Sequence, residues 1–113
     1  MHNMLAVHVN MVNSLENKST LTVHCKSADD DLGVHVLQPG DNYGFKFGVS
    51  FIAVTQFFCG FTWNGVLHWF DIYIDTSYNR SYCSHCNWNI YESGPCRTLE
   101  PRKIACFPWN KNK

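Results

Sequence analysis

The sequence predicts an all-β chain, an antiparallel β-sandwich of about seven to eight short strands held by disulfides, in a single domain over residues 1–113. Three observations carry this. Apolar and polar residues alternate with a period of two in one stretch after another. Turn-forming residues punctuate the chain at close spacing. Six cysteines sit among only 113 residues. No stretch shows helical periodicity, no repeat is present, and no linker divides the chain.

The elements follow in order. Leu5, Val7, Val9 and Met11 alternate with Ala6, His8, Asn10 and Val12, and Asn13 to Asn17 then supplies polar turn chemistry. Lys18 to Lys26 reads as the second strand, with Leu21, Val23 and Cys25 on its inner face. Asp29, Asp30 and Asp31 end it, because adjacent like charges are poor in a sheet and aspartate bonds local backbone amides. Gly33 offers a positive-φ position for the return, and Leu32 to Leu37 forms the third strand. Gln38-Pro39-Gly40-Asp41-Asn42 is a reverse turn.

In the fourth strand Tyr43, Phe45 and Phe47 face one way and Gly44, Lys46 and Gly48 the other; Val49 to Ala53 reads as a loop. The fifth, Val54 to Trp63, places Thr55, Phe57, Cys59, Phe61 and Trp63 on one face. Asn64-Gly65 is a two-residue hairpin signal, so Val66 to Ile74 pairs back antiparallel. Asp75 to His85 reads as an exposed polar loop. A seventh strand holds Cys86, Trp88 and Ile90, Ser93-Gly94-Pro95 breaks it, and Lys103 to Phe107 closes the chain with Trp109 packed over the end. The expected core is Val7, Val9, Leu21, Val23, Phe45, Phe47, Phe57, Phe61, Trp88 and Ile90.

Formal charge balances at zero, nine basic against nine acidic residues, so the clustered basic face of a nucleic-acid binder is not expected. An even cysteine count in a short chain fits an oxidising compartment. Two sequons agree with that: Asn17-Lys18-Ser19 and Asn79-Arg80-Ser81, both in expected turns. The opening Met-His-Asn-Met-Leu-Ala-Val has neither the basic nor the apolar region of a secretory leader, so a leader is expected upstream of about His2. No run approaches membrane-spanning length, so membrane insertion is not expected.

Each cluster of reactive residues has a chemical and an architectural reading. Cys83-Ser84-His85-Cys86, with Cys96 and Cys106, has ligand types for zinc, but the second pair lacks the close spacing of a zinc knuckle. A thioredoxin-like redox role would normally be preceded by a βαβ unit, which is absent from the pattern. Disulfides are the simpler expectation, and six cysteines allow 15 pairings. The strand cysteines Cys25 and Cys59 are expected to bond into the Cys83/Cys86 region or the last strand, Cys25 to Cys106 being one form of this. Cys96 and Cys106 would otherwise close a local loop around Glu100-Pro101.

The aspartate triplet lacks the glycine and distal glutamate of an EF-hand, so a turn is expected there, with Asp31 bonded locally. His24 and His68 are expected to face solvent. No nucleophile elbow, paired-carboxylate motif or phosphate loop is present, so no catalytic residue, metal or cofactor is expected. Trp63, Trp69, Trp88 and Phe57 alternate as core residues, whereas a sugar-binding platform needs several aromatics exposed together.

One resemblance covers nearly the whole chain, from about Val7 to Trp109. It is carried by His24-Cys25-Lys26-Ser27 through Asp29-Asp30-Asp31-Leu32-Gly33, Thr55 to Trp63, Trp69-Phe70-Asp71-Ile72-Tyr73, Cys86-Asn87-Trp88, Gly94-Pro95-Cys96 and Cys106-Phe107-Pro108-Trp109. This ordered set resembles the plant self-incompatibility S-protein homologues, typified by the stigma S-proteins of poppy. The resemblance implies a small secreted plant β-sandwich without known enzymatic activity. A few such proteins act as pistil-side ligands for a receptor on pollen, and most have no assigned role.

The expected function is therefore that of a monomeric, non-enzymatic extracellular ligand for a cell-surface receptor protein. The alternative is a structural or defence-related apoplastic protein, glycan-binding in one form, with no dedicated receptor. Candidate contact loops are Lys26 to Asp31, with Asp29, Asp30 and Asp31 at its tip, and Asp75 to His85, which carries Tyr78, Arg80 and Tyr82. Tyrosine and arginine combine large contact area with hydrogen-bonding groups, as binding hot spots require. Secretion predicts N-glycans on Asn17 or Asn79. Endoglycosidase treatment of protein from plant tissue should sharpen and speed its gel band, and Asn17→Gln with Asn79→Gln should abolish the change.

Overall fold

The computed structural model describes residues 4–50, 54–75, 83–99 and 102–110. Nine strands are formed among them: β1 (Met4–Asn13), β2 (Leu21–Lys26), β3 (Asp31–Leu37), β4 (Asn42–Ser50), β5 (Thr55–Trp63), β6 (Val66–Asp75), β7 (His85–Tyr91), β8 (Gly94–Leu99) and β9 (Lys103–Cys106). They make two sheets, one ordered β4-β1-β7-β8-β9 and the other β3-β2-β5-β6. All pairings are antiparallel except β1 with β7, which is parallel, so a purely antiparallel sandwich is corrected at one seam.

Each strand offers one apolar face, and the two sheets bury these faces against each other. Val7, Val9 and Met11 of β1 and Cys86, Trp88 and Ile90 of β7 meet Leu21, Val23 and Cys25 of β2 and Phe57, Cys59, Phe61 and Trp63 of β5. Eight of the ten expected core residues are buried; Phe45 and Phe47 on the edge strand β4 are half-buried. Trp109 packs as expected, its ring against Phe61 and Trp63 and its Nε1–H donating to the Glu92 carbonyl at 2.9 Å.

The turns obey their residue chemistry. Gly40, at φ +85° after Pro39, with Asp41 N–H donating to the Gln38 carbonyl, matches a type II turn. Asn64 and Gly65, at φ 50° and 76°, make the type I′ turn that matches strand twist. Gly33, at φ +82°, lies inside β3 at a bulge, where Leu32 and Gly33 together oppose Cys25. A second bulge in β6 lets the consecutive residues Ile72 and Tyr73 both be buried, which simple alternation forbids.

Three differences from expectation exceed a single residue. β2 begins at Leu21 rather than Lys18, β4 continues through Val49 and Ser50, and Gly94 to Leu99 is a strand rather than a break. Pro95 is tolerated in β8 because its carbonyl still accepts from the Phe107 amide at 3.0 Å. Asn13 belongs by residue type to the polar turn, yet it is buried. Its amide donates to the carbonyls of Ser19 and Leu37, its Oδ1 accepts from the Leu15 amide, and it thereby joins two loops.

The disulfides are Cys25–Cys59, Cys83–Cys86 and Cys96–Cys106. The local Cys96–Cys106 loop is as expected. The expected bridge from Cys25 or Cys59 into the C-terminal half is wrong, because antiparallel pairing of β2 and β5 sets these two cysteines directly opposite. By loop-closure entropy the three bridges contribute about 4 kcal/mol for Cys25–Cys59, about 3 for Cys96–Cys106 and about 2 for Cys83–Cys86.

Gly94 is the tightest backbone position described. Its φ is +143°, and a Cβ there would run into the Phe107 carbonyl. Gly94→Ala should therefore cost about 3 kcal/mol, against about 1 kcal/mol for Gly40→Ala, where no atom lies within 4 Å. Denaturant unfolding of the oxidised proteins checks the ordering.

Candidate functional site

Sheet register places several features at one end of the sandwich. β2 ends there at Lys26 opposite Phe58, β5 begins there, and β6 ends there with Asp75 opposite Thr55. In the other sheet β4 finishes beside the start of β1, and β7 begins with His85 opposite His8. A cleft of about 570 Å³ opens between the sheets at this end. Its walls are the β2–β3 turn at Ser27, Ala28, Asp29 and Asp30 on one side and Phe47 and Phe57 on the other, with Phe58 and Gln56 at the margin.

The β2–β3 turn is held by its own side chains. Ser27 N–H donates to the Asp30 carbonyl at 2.8 Å, and Asp30 N–H donates to Ser27 Oγ at 3.1 Å. Asp31 Oδ1 accepts from the Gly33 amide at 2.9 Å and from His24 Nε2 at 2.6 Å. These two donors, the backbone amide first, hold the Asp31 carboxyl below the usual carboxylate range. His24 is thus engaged rather than simply facing solvent. His68 is half-buried and stacked on Trp63, with ring centroids 4.0 Å apart. Asp31 serves the turn, while the exposed Asp29 and Asp30 face the cleft.

The second expected loop contributes through its flanks. Tyr78, Asn79, Arg80 and Tyr82 lie outside the described residues. Asp75 and Cys83, the described residues on either side of them, belong to the same end as the cleft and the β2–β3 turn. Asn17 lies at the opposite end, exposed, its Oδ1 accepting from the Ser19 amide and its own amide donating to Glu92. Amides of Glu16 and Asn17 hold the Glu92 carboxyl below its usual range. A glycan on Asn17 would leave the cleft end open.

The other chemistries fare differently. The sulfurs weighed as zinc ligands are consumed in disulfides. Trp63 and Trp88 are buried and unavailable to a sugar platform. Sequence reasoning missed the cleft itself. Its one legible signal was Phe58, an aromatic on the outward face of β5, while Phe47 read simply as core.

The lowered Asp31 carboxyl has a defined pH signature. A folded-state value below the unfolded one adds stability above the ordinary carboxylate range, and this is lost as pH falls through the lowered folded value. Asp31→Asn should therefore lower Tm at neutral pH, with the gap to the parent closing below about pH 4. Thermal unfolding across pH checks it.

Comparison with known proteins agrees with the geometry. The sequence profile of the family described as plant self-incompatibility protein S1 matches residues 8–109. S-protein homolog 2 of Arabidopsis thaliana is 44% identical over 110 residues, 92% of this chain and 68% of that protein. S-protein homolog 4 of the same plant is 43% identical over 111 residues, 93% of this chain and 73% of that protein. The solved structure of a Self-Incompatibility Protein Homologue, from a widespread family of small, highly stable, secreted plant proteins, superposes with a TM-score of 0.67. That match spans 95% of this chain and 96% of the other at 16% identity, which speaks to fold. Sheets, disulfides and sequence profile converge: the chain belongs to the plant self-incompatibility protein S1 family of small secreted proteins.

Proposed function

We propose that this protein is a non-enzymatic extracellular ligand that engages a cell-surface receptor through the cleft end of the sandwich. The observation that carries the reading is the meeting of Asp29 and Asp30 with an aromatic cleft at the end that also bears the flanks of residues 76–82. Loops on a rigid β scaffold vary without disturbing the core, and recognition concentrates on them for that reason. An acidic rim over Phe47, Phe57 and Phe58 complements a lysine or arginine side chain of a partner, whose charge meets the carboxylates while its stem lies on the rings. The names of relatives record self-incompatibility homology, and receptor engagement is our extension of it to this chain.

Crosslinking the oxidised protein to intact cells of the source plant tests the proposal. Saturable capture of one surface protein is expected. Asp29→Lys with Asp30→Lys should weaken it at least tenfold, the order of effect when a charge pair at an interface is reversed. Replacing Tyr78, Arg80 and Tyr82 together should also weaken it. Unchanged capture in both variants, each with native circular dichroism, would remove this end as the contact face. No saturable capture in any tissue would favour a structural or defence-related apoplastic role.

A further inference from the structure

We propose that the Cys83–Cys86 disulfide is a thiol–disulfide exchange site, opened by a thiol reductant while the two cross-strand bridges stay closed. Three observations carry this, and none depends on the receptor reading.

The two sulfurs are unequally placed. Cys86 is 1% exposed within the core, whereas Cys83 is half-buried at the cleft end of the sandwich. A less buried outer cysteine and a shielded inner one, four residues apart inclusive, are the layout that C-x-x-C exchange pairs use. A cation is also in place. Arg97 Nη1 lies 3.5 Å from Cys83 Sγ, with the guanidinium over the Trp88 ring at 5.7 Å. A positive charge beside a sulfur stabilises its thiolate and so favours release of Cys83 from a mixed disulfide.

The backbone around the bond is held without it. His8 N–H donates to the Ser84 carbonyl at 2.8 Å, and Cys86 pairs with Val9 in the β1–β7 ladder. Opening the bond therefore leaves both sheets intact. The comparison with the other bridges is direct. Cys25 and Cys59 are both 0% exposed, and Cys96–Cys106 joins β9 to its sheet. A thioredoxin scaffold is not required for this local arrangement.

A thiolate of the reductant attacks Cys83 Sγ along the S–S axis. A new S–S bond forms to Cys83 as the Cys83–Cys86 bond breaks, and the electron pair left on Cys86 takes a proton from water. A second thiolate of the reductant then attacks the mixed disulfide and releases Cys83 as a thiolate beside Arg97. The reductant leaves as a disulfide, having lost two electrons, and the C-x-x-C pair has gained them.

The test begins with the full oxidised chain in graded buffers of reduced and oxidised glutathione, and separately with a thioredoxin-type protein dithiol, which distinguishes small-thiol from protein sources. Rapid alkylation and peptide mapping report which cysteines opened. Cys83 and Cys86 should label at least tenfold earlier in reductant concentration than Cys96 and Cys106, with unchanged circular dichroism. Earlier labelling of Cys96 and Cys106, or opening of Cys83–Cys86 only with unfolding, overturns the proposal. In Cys86→Ser, the pH midpoint for alkylating Cys83 should fall below the value of about 8.5 for a free cysteine. Arg97→Gln in that background should raise it by about one unit, and Arg97→Lys should restore most of the shift. A Cys83 midpoint at or above the free value, or one indifferent to both Arg97 changes, overturns the role assigned to the cation.

Discussion

The structure depends on the contact between two pairs of central strands, β1 with β7 in one sheet and β2 with β5 in the other. These central strands each bury one apolar face against the opposite sheet, so neither sheet is stable alone in water, and each exists as the cover of the other. Val9, Met11 and Ile90 press on Leu21, Val23 and Phe61, all at or near zero exposure. The edge strands β3, β4, β6 and β9 attach to that centre and tolerate irregularity: bulges in β3 and β6 and half-buried rings along β4. The Cys25–Cys59 bond lies within this centre and fixes β2 against β5 in the one register that keeps both apolar faces inward.

A rigid centre leaves the ends free to differ. At one end, Asn13 and Glu92 tie loops to strands through satisfied hydrogen bonds. At the other, the sheets part into a cleft whose rim is acidic and whose wall is aromatic. The β2–β3 turn is self-supporting, with Asp31 spent on its own backbone and on His24, so Asp29 and Asp30 reach the rim without having to hold the loop together. This separation of structural from available carboxylates lets a turn present charge at little conformational cost.

The three disulfides divide the same way. Two join directly opposed residues of neighbouring strands and reinforce pairings that the sheets already make. The third closes a short loop that runs into the start of β7, spans no strand pair and stands beside a guanidinium. A bridge that adds little to folding is one whose opening the fold survives. Position in the topology, more than cysteine count, decides which bridge is structural.

Much of the fold was legible in the residues. Eight of the nine strands were legible, most of them through period-two alternation, because a half-buried strand imprints its pleat on the sequence. Pro39-Gly40 and Asn64-Gly65 announced their turns through φ angles that few other residues adopt. Local bonding of Asp31 followed from aspartate chemistry. β8 was hidden because Gly94-Pro95 is a breaker in isolation and is tolerated only with Phe107 hydrogen-bonded across to it.

What the sequence determined by itself was local: strand faces, turn types, cysteine burial and, through an ordered set of motifs, family. Tertiary structure alone decided which strands are neighbours. Cys25 meets Cys59 because β2 pairs with β5 across the intervening β3 and β4, and β1 lies parallel to β7 across a far longer stretch of chain. The cleft, the placing of Asp75 and Cys83 at its end and the approach of Arg97 to Cys83 follow from those pairings. Alternation records which way a side chain faces, whereas strand order is set by how two whole sheets best exclude water from between them, and no window of sequence contains both.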